Sequence, residues 1–221
     1  MSDTLDSRSE VDSLRRKLLL GAAAATTLGS WTTAAHAGVE VEGVTVADTA
    51  MVGGKKLVLN GAAVRKRGYF KADVTALYLP EKRTTPDSIF KLDGPRRIQL
   101  NLLREFTSGT ISRIFVADFK QSATEEEFKK LITVVGQIGQ AYGNIKNVNR
   151  GDIVNLDWIP GTGWVAAINN KPVSIEPGVP MIIKDELAYQ IYMRMYLGPN
   201  APDDLRNGLL GLTKLNHSKD D

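Results

Sequence analysis

The sequence contains no cysteine in 221 residues. This absence excludes disulfide bonds, thiolate catalysis, iron–sulfur clusters and cysteine-ligated zinc, and it also excludes a lipidated cysteine anchor. Histidine is nearly absent too, because His36 and His217 are the two in the chain. His36 lies in a segment that we expect to be removed, so His217 would stand alone. We therefore expect no metal site and no cofactor.

The chain also lacks a large excess of positive or negative charge. The chain has 28 Lys and Arg against 25 Asp and Glu, a net charge of +3, and the cations are scattered. Nucleic-acid-binding domains usually concentrate cations on one face, and we find no zinc-finger, RNA-binding or helix-turn-helix pattern. A nucleic-acid partner is therefore not expected. A content of 43% hydrophobic and 24% charged residues is typical of a folded domain with its own core.

The N-terminus has the pattern of an export signal. A polar start ends in Arg15-Arg16-Lys17, an apolar run extends from Leu18 to Gly29, and Ala35-His36-Ala37 forms a cleavage signature. The run is shorter than the ~20 residues that span a bilayer. We predict cleavage between Ala37 and Gly38, which leaves residues 38–213 as one domain and 214–221 as a polar tail.

The export route has two interpretations. Arg15 and Arg16 resemble a twin-arginine signal, but Leu14 occupies a position where that signal usually has Ser or Thr. An ordinary secretory signal with two adjacent arginines is the alternative. Both routes place a bacterial protein in the periplasm or outside the cell. We find no further apolar run of membrane-spanning length, so the mature chain is expected to lack a transmembrane segment.

Hydrophobic periodicity predicts an α+β domain. The elements come as strands, then helices, then strands, then helices, without the strand–helix alternation of a parallel sheet. This order predicts an antiparallel sheet with helices layered on one face. The predicted strands are 40–46, 56–59 (ended by a turn at Asn60-Gly61), 69–79, 96–103, 152–159, 164–168 and 172–175. The predicted helices are 112–119, 124–142 and 183–195, with a short helix that opens at 85–87 and a last short helix at 205–210 that follows 202–204.

The strand at 69–79 alternates clearly. One face carries Phe70, Val74 and Tyr78, and the other carries Asp73 and Thr75. If residues 65–67 are simply a solvated turn, Asp73 lies on a polar sheet face.

Three segments resemble the chalcone isomerase-like family, in its exported bacterial branch. They are LNGAAVR at 59–65 followed by FK at 70–71 and ALYLP at 76–80, PGTGW at 160–164, and YLG at 196–198 with the following Pro and Leu residues. In their order and spacing they cover roughly residues 40 to 211. The resemblance implies an open-faced β-sandwich with a cleft between a large antiparallel sheet and a helical layer.

The resemblance also implies two kinds of activity. Plant chalcone isomerases use an Arg with Thr, Tyr and Asn partners, whereas relatives that bind fatty acids use the same Arg with a Tyr to hold the carboxylate. Arg65 matches the shared Arg, and Asp73 occupies the Thr or Tyr position. The segment 107–119 contains neither Tyr nor Asn. This sequence therefore has a residue that matches the family's Arg, and it has none that match the remaining isomerase residues.

Arg65 has a functional and a structural interpretation. Arg65 follows three apolar residues, and its planar guanidinium can donate two hydrogen bonds to a carboxylate. Arg65 and Asp73 would lie ~26 Å apart if they were on one unbroken strand. They form one ligand-binding site only if Gly68 allows the chain to turn. Otherwise 65–67 is a solvated turn.

Three functions follow from these observations. The first is a periplasmic binding or carrier protein for a small amphipathic ligand, such as a fatty acid or an aromatic carboxylate. The second is an isomerase of the intramolecular lyase type, in which Arg65 stabilises a phenolate or enolate. The third is a structural or partner-binding protein of the cell envelope, with a protein partner that the sequence does not identify. The missing Tyr and Asn favour the first, so we do not expect an enzyme.

Overall fold

The computed structural model describes residues 38–214 and the backbone of 216–217. The export signal predicted for residues 1–37 lies outside the described residues, as does most of the polar tail.

The main sheet has eight strands, and all of its pairings are antiparallel. The strands are β1 Gly38–Val41, β2 Val44–Ala47, β3 Thr49–Val52, β4 Lys55–Arg67, β5 Phe70–Leu79, β6 Arg96–Leu102, β7 Phe106–Thr107, β8 Asn147–Val148, β9 Ile153–Ile159, β10 Gly163–Ile168, β11 Lys171–Pro172, β12 Ser174–Glu176, β13 Val179–Pro180, β14 Ile182–Ile183 and β15 Asn216–His217. The order in the main sheet is β11-β10-β9-β6-β5-β4-β3, with β14 also paired to β10. The long hairpin β4–β5 carries the site described below.

A layer of helices covers one face of this sheet. Leu77 and Ile98 from the strands share a buried core with Phe119, Ile138 and Tyr189 from the helices. The α+β architecture predicted from the sequence is therefore confirmed. The helices in the described part of the chain are α1 Pro86–Phe90, α2 Ser108–Ser122, α3 Glu125–Lys130, α4 Ile132–Gly143, α5 Glu186–Leu197 and α6 Asp203–Leu209.

The second face of the sheet is partly covered by the small sheet β15-β1-β2. Val39 and Val46 from this sheet pack on Val74 and Tyr78 from β5. The single strand predicted at 40–46 is wrong, because the chain reverses at Glu42 and Gly43 with φ of 53° and 73°. The two halves of the segment form a hairpin, which allows both to pack on the main sheet.

The structure does not have the polar sheet face expected for Asp73 in the alternative where residues 65–67 form a solvated turn. Asp73 and Thr75 are both 0% exposed, and they share their face of β5 with Leu77 and Leu79 of the core beneath the helices. The face with Val74 is buried under the small sheet. Because both faces are covered, the two buried polar side chains need hydrogen-bond partners within the core.

The turn predicted at Asn60-Gly61 is also absent. Strand β4 runs through both residues with a bulge in its register between Leu59 and Gly61. The Asn60 amide donates to the carbonyl of Leu209 at 2.7 Å and its oxygen accepts from the backbone of Arg83 at 2.7 Å. These long-range hydrogen bonds stabilise an extended strand where the local dipeptide favours a turn.

The helix predicted at 124–142 is two helices. The capping box of Thr124 and Glu127 is present as predicted. Leu131 interrupts the helix with φ of −100° and ψ of 9°, although its carbonyl still accepts from Val135 at 2.8 Å. The helix predicted from residue 183 begins at Glu186, because Ile183 pairs with Trp164 at the edge of the sheet.

Candidate ligand-binding site

The β4–β5 hairpin brings Arg65 and Asp73 face to face. Gly68 adopts φ of 58°, a left-handed conformation that glycine tolerates without a steric penalty, and the chain reverses there. Arg65 and Asp73 are consequently register partners in adjacent strands. The two residues therefore lie together, which was the condition set by the sequence for a single site.

Arg65 and Asp73 form a mostly buried ion pair. Nε of Arg65 donates to Oδ2 of Asp73 at 2.8 Å, and Nη2 lies 2.7 Å from the same oxygen. The other carboxylate oxygen accepts from the hydroxyl of Thr75 at 2.6 Å. The side chain of Arg65 is 15% exposed and that of Asp73 is 1% exposed. Asp73 is thus held in place and fixes the plane of the guanidinium.

Two phenols on α5 extend this network. Nη1 of Arg65 donates to the hydroxyl of Tyr196 at 3.2 Å, and the guanidinium carbon lies 5.3 Å from the centre of that ring. The hydroxyl of Tyr196 lies 2.8 Å from that of Tyr192, one helical turn earlier. Helix α5 begins at an N-cap formed by Asp185, which accepts from the backbone of Ala188.

Burial and the neighbouring charges determine the protonation of this network. Burial lowers the pKa of Arg65, but the charge of Asp73 and the nearby phenols together raise it by more. The pKa of Arg65 is therefore above its ordinary value. Burial raises the pKa of Tyr142, Tyr192 and Tyr196 above the ordinary value of a phenol. At neutral pH the Arg65 guanidinium is therefore charged and the three phenols beside it are neutral.

A cavity of ≈ 90 Å³ lies between the sheet and the helices, beside Arg65. Its polar wall consists of Arg65, Arg67, Tyr142, Tyr192 and Tyr196, and every other side chain on its wall is apolar. It exceeds the ~10–15 Å³ that a single water needs on this measure. The cavity thus combines a polar end with an apolar body.

Arg67 links the wall of the cavity to α2. Its guanidinium forms a two-point ion pair with the carboxylate of Asp118. Ile111, Ile114 and Phe115 on the same helix line the cavity. The Arg67–Asp118 pair therefore holds α2 against the hairpin along one side of the cavity.

The sequence did not predict the role of the tyrosines in this site. The segment 107–119 lacks Tyr and Asn, but Tyr142, Tyr192 and Tyr196 bring phenols from α4 and α5. The phenols beside Arg65 therefore come from outside the segment in which the resemblance places the Tyr and Asn partners. The four-residue spacing of Tyr192 and Tyr196 places them on one helical face, but the pattern alone does not indicate that this face meets Arg65.

The residues that the structure describes include no group of three or more His, Cys, Asp or Glu side chains arranged to hold a metal ion. No helix within 38–214 is both long and apolar enough to cross a membrane.

The fold matches a known structure. The fatty-acid binding protein of Arabidopsis thaliana aligns with a TM-score of 0.63 and 13% identity, over 79% of this chain and 95% of the plant chain. At that identity the alignment shows a shared fold. A search of curated proteins finds no match. The family model described as chalcone isomerase-like matches residues 38–211. The chain therefore belongs to the chalcone isomerase-like family.

Proposed function

We propose that the protein binds a small amphipathic acid, a fatty acid or an aromatic carboxylate, and acts as its carrier in the periplasm. One observation carries the proposal: the guanidinium of Arg65 lies at the polar end of an otherwise apolar cavity. A cavity with an apolar body and one charged anchor is the usual design of a site for such ligands.

Arg65 retains donors for a ligand. A guanidinium has five N–H groups. Within residues 38–214, Arg65 reaches acceptors on Asp73 and Tyr196 through Nε, Nη2 and Nη1. Since these two partners do not use all five donors, a carboxylate can accept from the remaining N–H groups. Charge-assisted hydrogen bonds of this kind are roughly twice as strong as neutral ones.

The phenols add neutral donors. The pKa of Tyr196 and that of Tyr142 are raised, so both stay protonated at neutral pH and can donate to an anionic head group. Tyr142 lies on the same cavity wall as Arg65 and Tyr196. A carboxylate bound there would meet the Arg65 guanidinium and these neutral donors.

The same geometry favours binding over isomerisation. Acid–base catalysis needs a group whose pKa lies near the working pH. The phenols have pKa values above their ordinary range, and Asp73 already accepts from Arg65 and Thr75. The site can stabilise a negative charge, but within the described residues its wall offers no general base. The shared fold with a plant protein named for fatty-acid binding supports the same choice.

A bound ligand must enlarge the cavity. Sites for drug-sized ligands usually enclose ~300–1,000 Å³, and this cavity measures ≈ 90 Å³. Helix α2 lines the cavity and is joined to the hairpin by the Arg67–Asp118 pair. We therefore expect displacement of α2 to make room for an alkyl chain.

The test is calorimetric titration of the lipid-stripped mature chain, residues 38–221. Dodecanoate is compared with dodecanol, which has the same alkyl chain without the carboxylate. We expect dodecanoate to bind and dodecanol to bind at least tenfold more weakly, because it forms no charge-assisted hydrogen bond with Arg65.

Native mass spectrometry of protein purified from its own periplasm supplies an independent measurement. A co-purifying acid supports the proposal and identifies the ligand. Equal affinity for dodecanoate and dodecanol, or no binding of either together with no co-purifying molecule, contradicts it.

A further inference from the structure

The tip of the β4–β5 hairpin exposes two adjacent aromatic side chains. We use the term hairpin tip for residues 66–71. Tyr69, in the turn between β4 and β5, is 103% exposed, and Phe70, the first residue of β5, is 58% exposed. Neither ring contributes to the buried core of the described residues. Their presence is therefore not explained by folding.

The turn itself does not require aromatic residues. Gly68 supplies the left-handed conformation, with φ of 58°, and hairpin turns favour small or polar residues beside such a glycine. The strands remain paired up to Arg67 and Phe70, so the two rings are presented at the end of a firmly paired ribbon. A paired ribbon loses little conformational entropy when its tip binds.

Cationic side chains flank the two rings. Lys66 and Lys71 are exposed and lie on either side of the turn. Arg104 places its guanidinium carbon 4.2 Å from the centre of the Phe70 ring. Aromatic rings with adjacent Lys and Arg side chains are typical of the interface between membrane and water.

The lysines have carboxylate partners on neighbouring elements. Lys66 lies 3.2 Å from Asp204, and Lys71 lies 2.5 Å from Glu42. The hairpin tip is consequently not a polybasic patch. Insertion of the rings, and not attraction to anionic lipid, must supply most of the binding free energy of any contact with a membrane.

We propose that the hairpin tip docks on the surface of a phospholipid bilayer. Tyr69 and Phe70 insert among the head groups, and the guanidinium of Arg104 contacts lipid phosphate. Two inserted rings provide weak, reversible attachment, which suits a protein that must leave the membrane again.

The hairpin tip adjoins the cavity. Arg67, which lies within the hairpin tip, and Ala72, the residue that follows it, both line the cavity wall. Phe106, two residues beyond Arg104, lines it as well. Docking by the hairpin tip therefore brings the polar end of the cavity close to the bilayer surface. The benefit of this arrangement rests on the proposed function, because a carrier of amphipathic acids must exchange its ligand with a membrane.

The test is co-sedimentation of the mature chain with phosphatidylcholine vesicles. We expect the wild type to bind the vesicles. A variant with Tyr69→Ser and Phe70→Ser should bind at least about tenfold more weakly, because the apolar area that inserts is lost. Met51→Ser is the matched control. Met51 is 60% exposed on β3, which pairs with the opposite end of β4, so its replacement should leave vesicle binding unchanged.

Titration of the same variants with dodecanoate separates docking from ligand binding. The double variant should bind dodecanoate like the wild type, because neither ring lines the cavity. Wild-type protein that stays in the supernatant overturns the proposal, as does equal sedimentation of the double variant. Binding that requires anionic lipid and is abolished by salt also overturns it, because attraction of the cations would then account for the binding. Each result is independent of whether dodecanoate binds.

Discussion

At the residue scale, Arg65 and Asp73 form a buried pair whose charges cancel. Removing one partner of such a pair usually costs ~3–5 kcal/mol, because the other charge remains buried without a partner. Here the remaining partner would be a guanidinium facing a cavity. Removing the carboxylate would therefore lower the free energy of unfolding by less when an anionic ligand occupies the site.

Asp73→Asn tests this relation. We expect the ligand-free variant to unfold at a lower temperature than the wild type, since Arg65 loses its compensating charge. We expect dodecanoate to bind the variant more tightly and to raise its melting temperature by more than it raises that of the wild type. Thermal denaturation with and without dodecanoate measures both effects. Weaker binding would show that Asp73 acts by orienting Arg65.

The sequence indicated Arg65 and Asp73, and it did not indicate the tyrosines. The anionic-ligand role of Arg65 rests on resemblance and stays a prediction, while its contact with Asp73 depends on the turn at Gly68. Tyr196 lies 131 positions from Arg65. No local periodicity relates residues that far apart, so the packing of α5 on the sheet had to be known first.

At the scale of elements, local sequence patterns predicted the structure correctly where no long-range contact favoured a different conformation. The capping box at Thr124 formed as predicted. The turn predicted at Asn60-Gly61 did not form, because Asn60 bonds to Leu209 on α6 and Gly61 allows the same helix to approach the strand. The bulge, and not a turn, aligns the end of β4 with β5, and so it contributes to the position of Arg65.

Gly61→Ala should therefore destabilise the fold. An added methyl group would lie 2.1 Å from the carbonyl oxygen of Gly208, and that backbone cannot move without displacing α6. We expect a loss of ~1–3 kcal/mol in the free energy of unfolding. Gly136→Ala on α4 is the matched control, because nothing lies within 4 Å of its added methyl group. Chemical denaturation of both variants measures the difference, and equal stability would contradict the close approach.

At the scale of the whole molecule, the buried phenols make stability sensitive to alkaline pH. Burial raises the pKa of Tyr78 to about 12 and raises that of Tyr142 and Tyr192 as well. Above pH ~10 the unfolded chain loses these protons while the folded chain keeps them. Stability is therefore fully present below pH ~10 and falls as the pH rises toward 12.

Melting temperatures measured from pH 8 to 11.5 check this expectation. Tyr192→Phe should flatten the alkaline decline, because the variant has one fewer buried phenol. A wild-type melting temperature that stays constant up to pH 11.5 would show that these phenols do not resist ionisation. A decline of the same slope in the variant would show that Tyr192 does not contribute to it.

Export is the second prediction at this scale. We expect the mature chain to begin at Gly38 in the periplasm, since Ala35-His36-Ala37 has the form of a cleavage signature. Replacing Arg15 and Arg16 by Lys should block export by the twin-arginine route. Cell fractionation and N-terminal sequencing provide the measurement. A cytoplasmic protein that retains Met1 would contradict export, and unimpaired export of the variant would favour the ordinary secretory route.

The overall architecture was accessible from the sequence because its strands and helices have strong periodicity and follow one another without strand–helix alternation. The resemblance implied a cleft between the sheet and the helices, but most of its lining was not accessible from the sequence, since its walls come from β4, β6, α2 and α5 and depend on how the layers pack. The small sheet over the second face was missed for a similar reason. Its hairpin at Glu42-Gly43 lies within a segment that alternates as one strand.

The central claim is that Arg65 holds the carboxylate of the ligand. The most direct measurement is calorimetric titration with dodecanoate of the wild type, Arg65→Ala, Arg65→Lys and the control Lys66→Ala, whose cation is exposed. We predict that Arg65→Ala loses ~1.5–3 kcal/mol of binding free energy. Arg65→Lys should recover only part of this loss without the planar fork, and Lys66→Ala should bind like the wild type. Wild-type affinity in Arg65→Ala would contradict the claim.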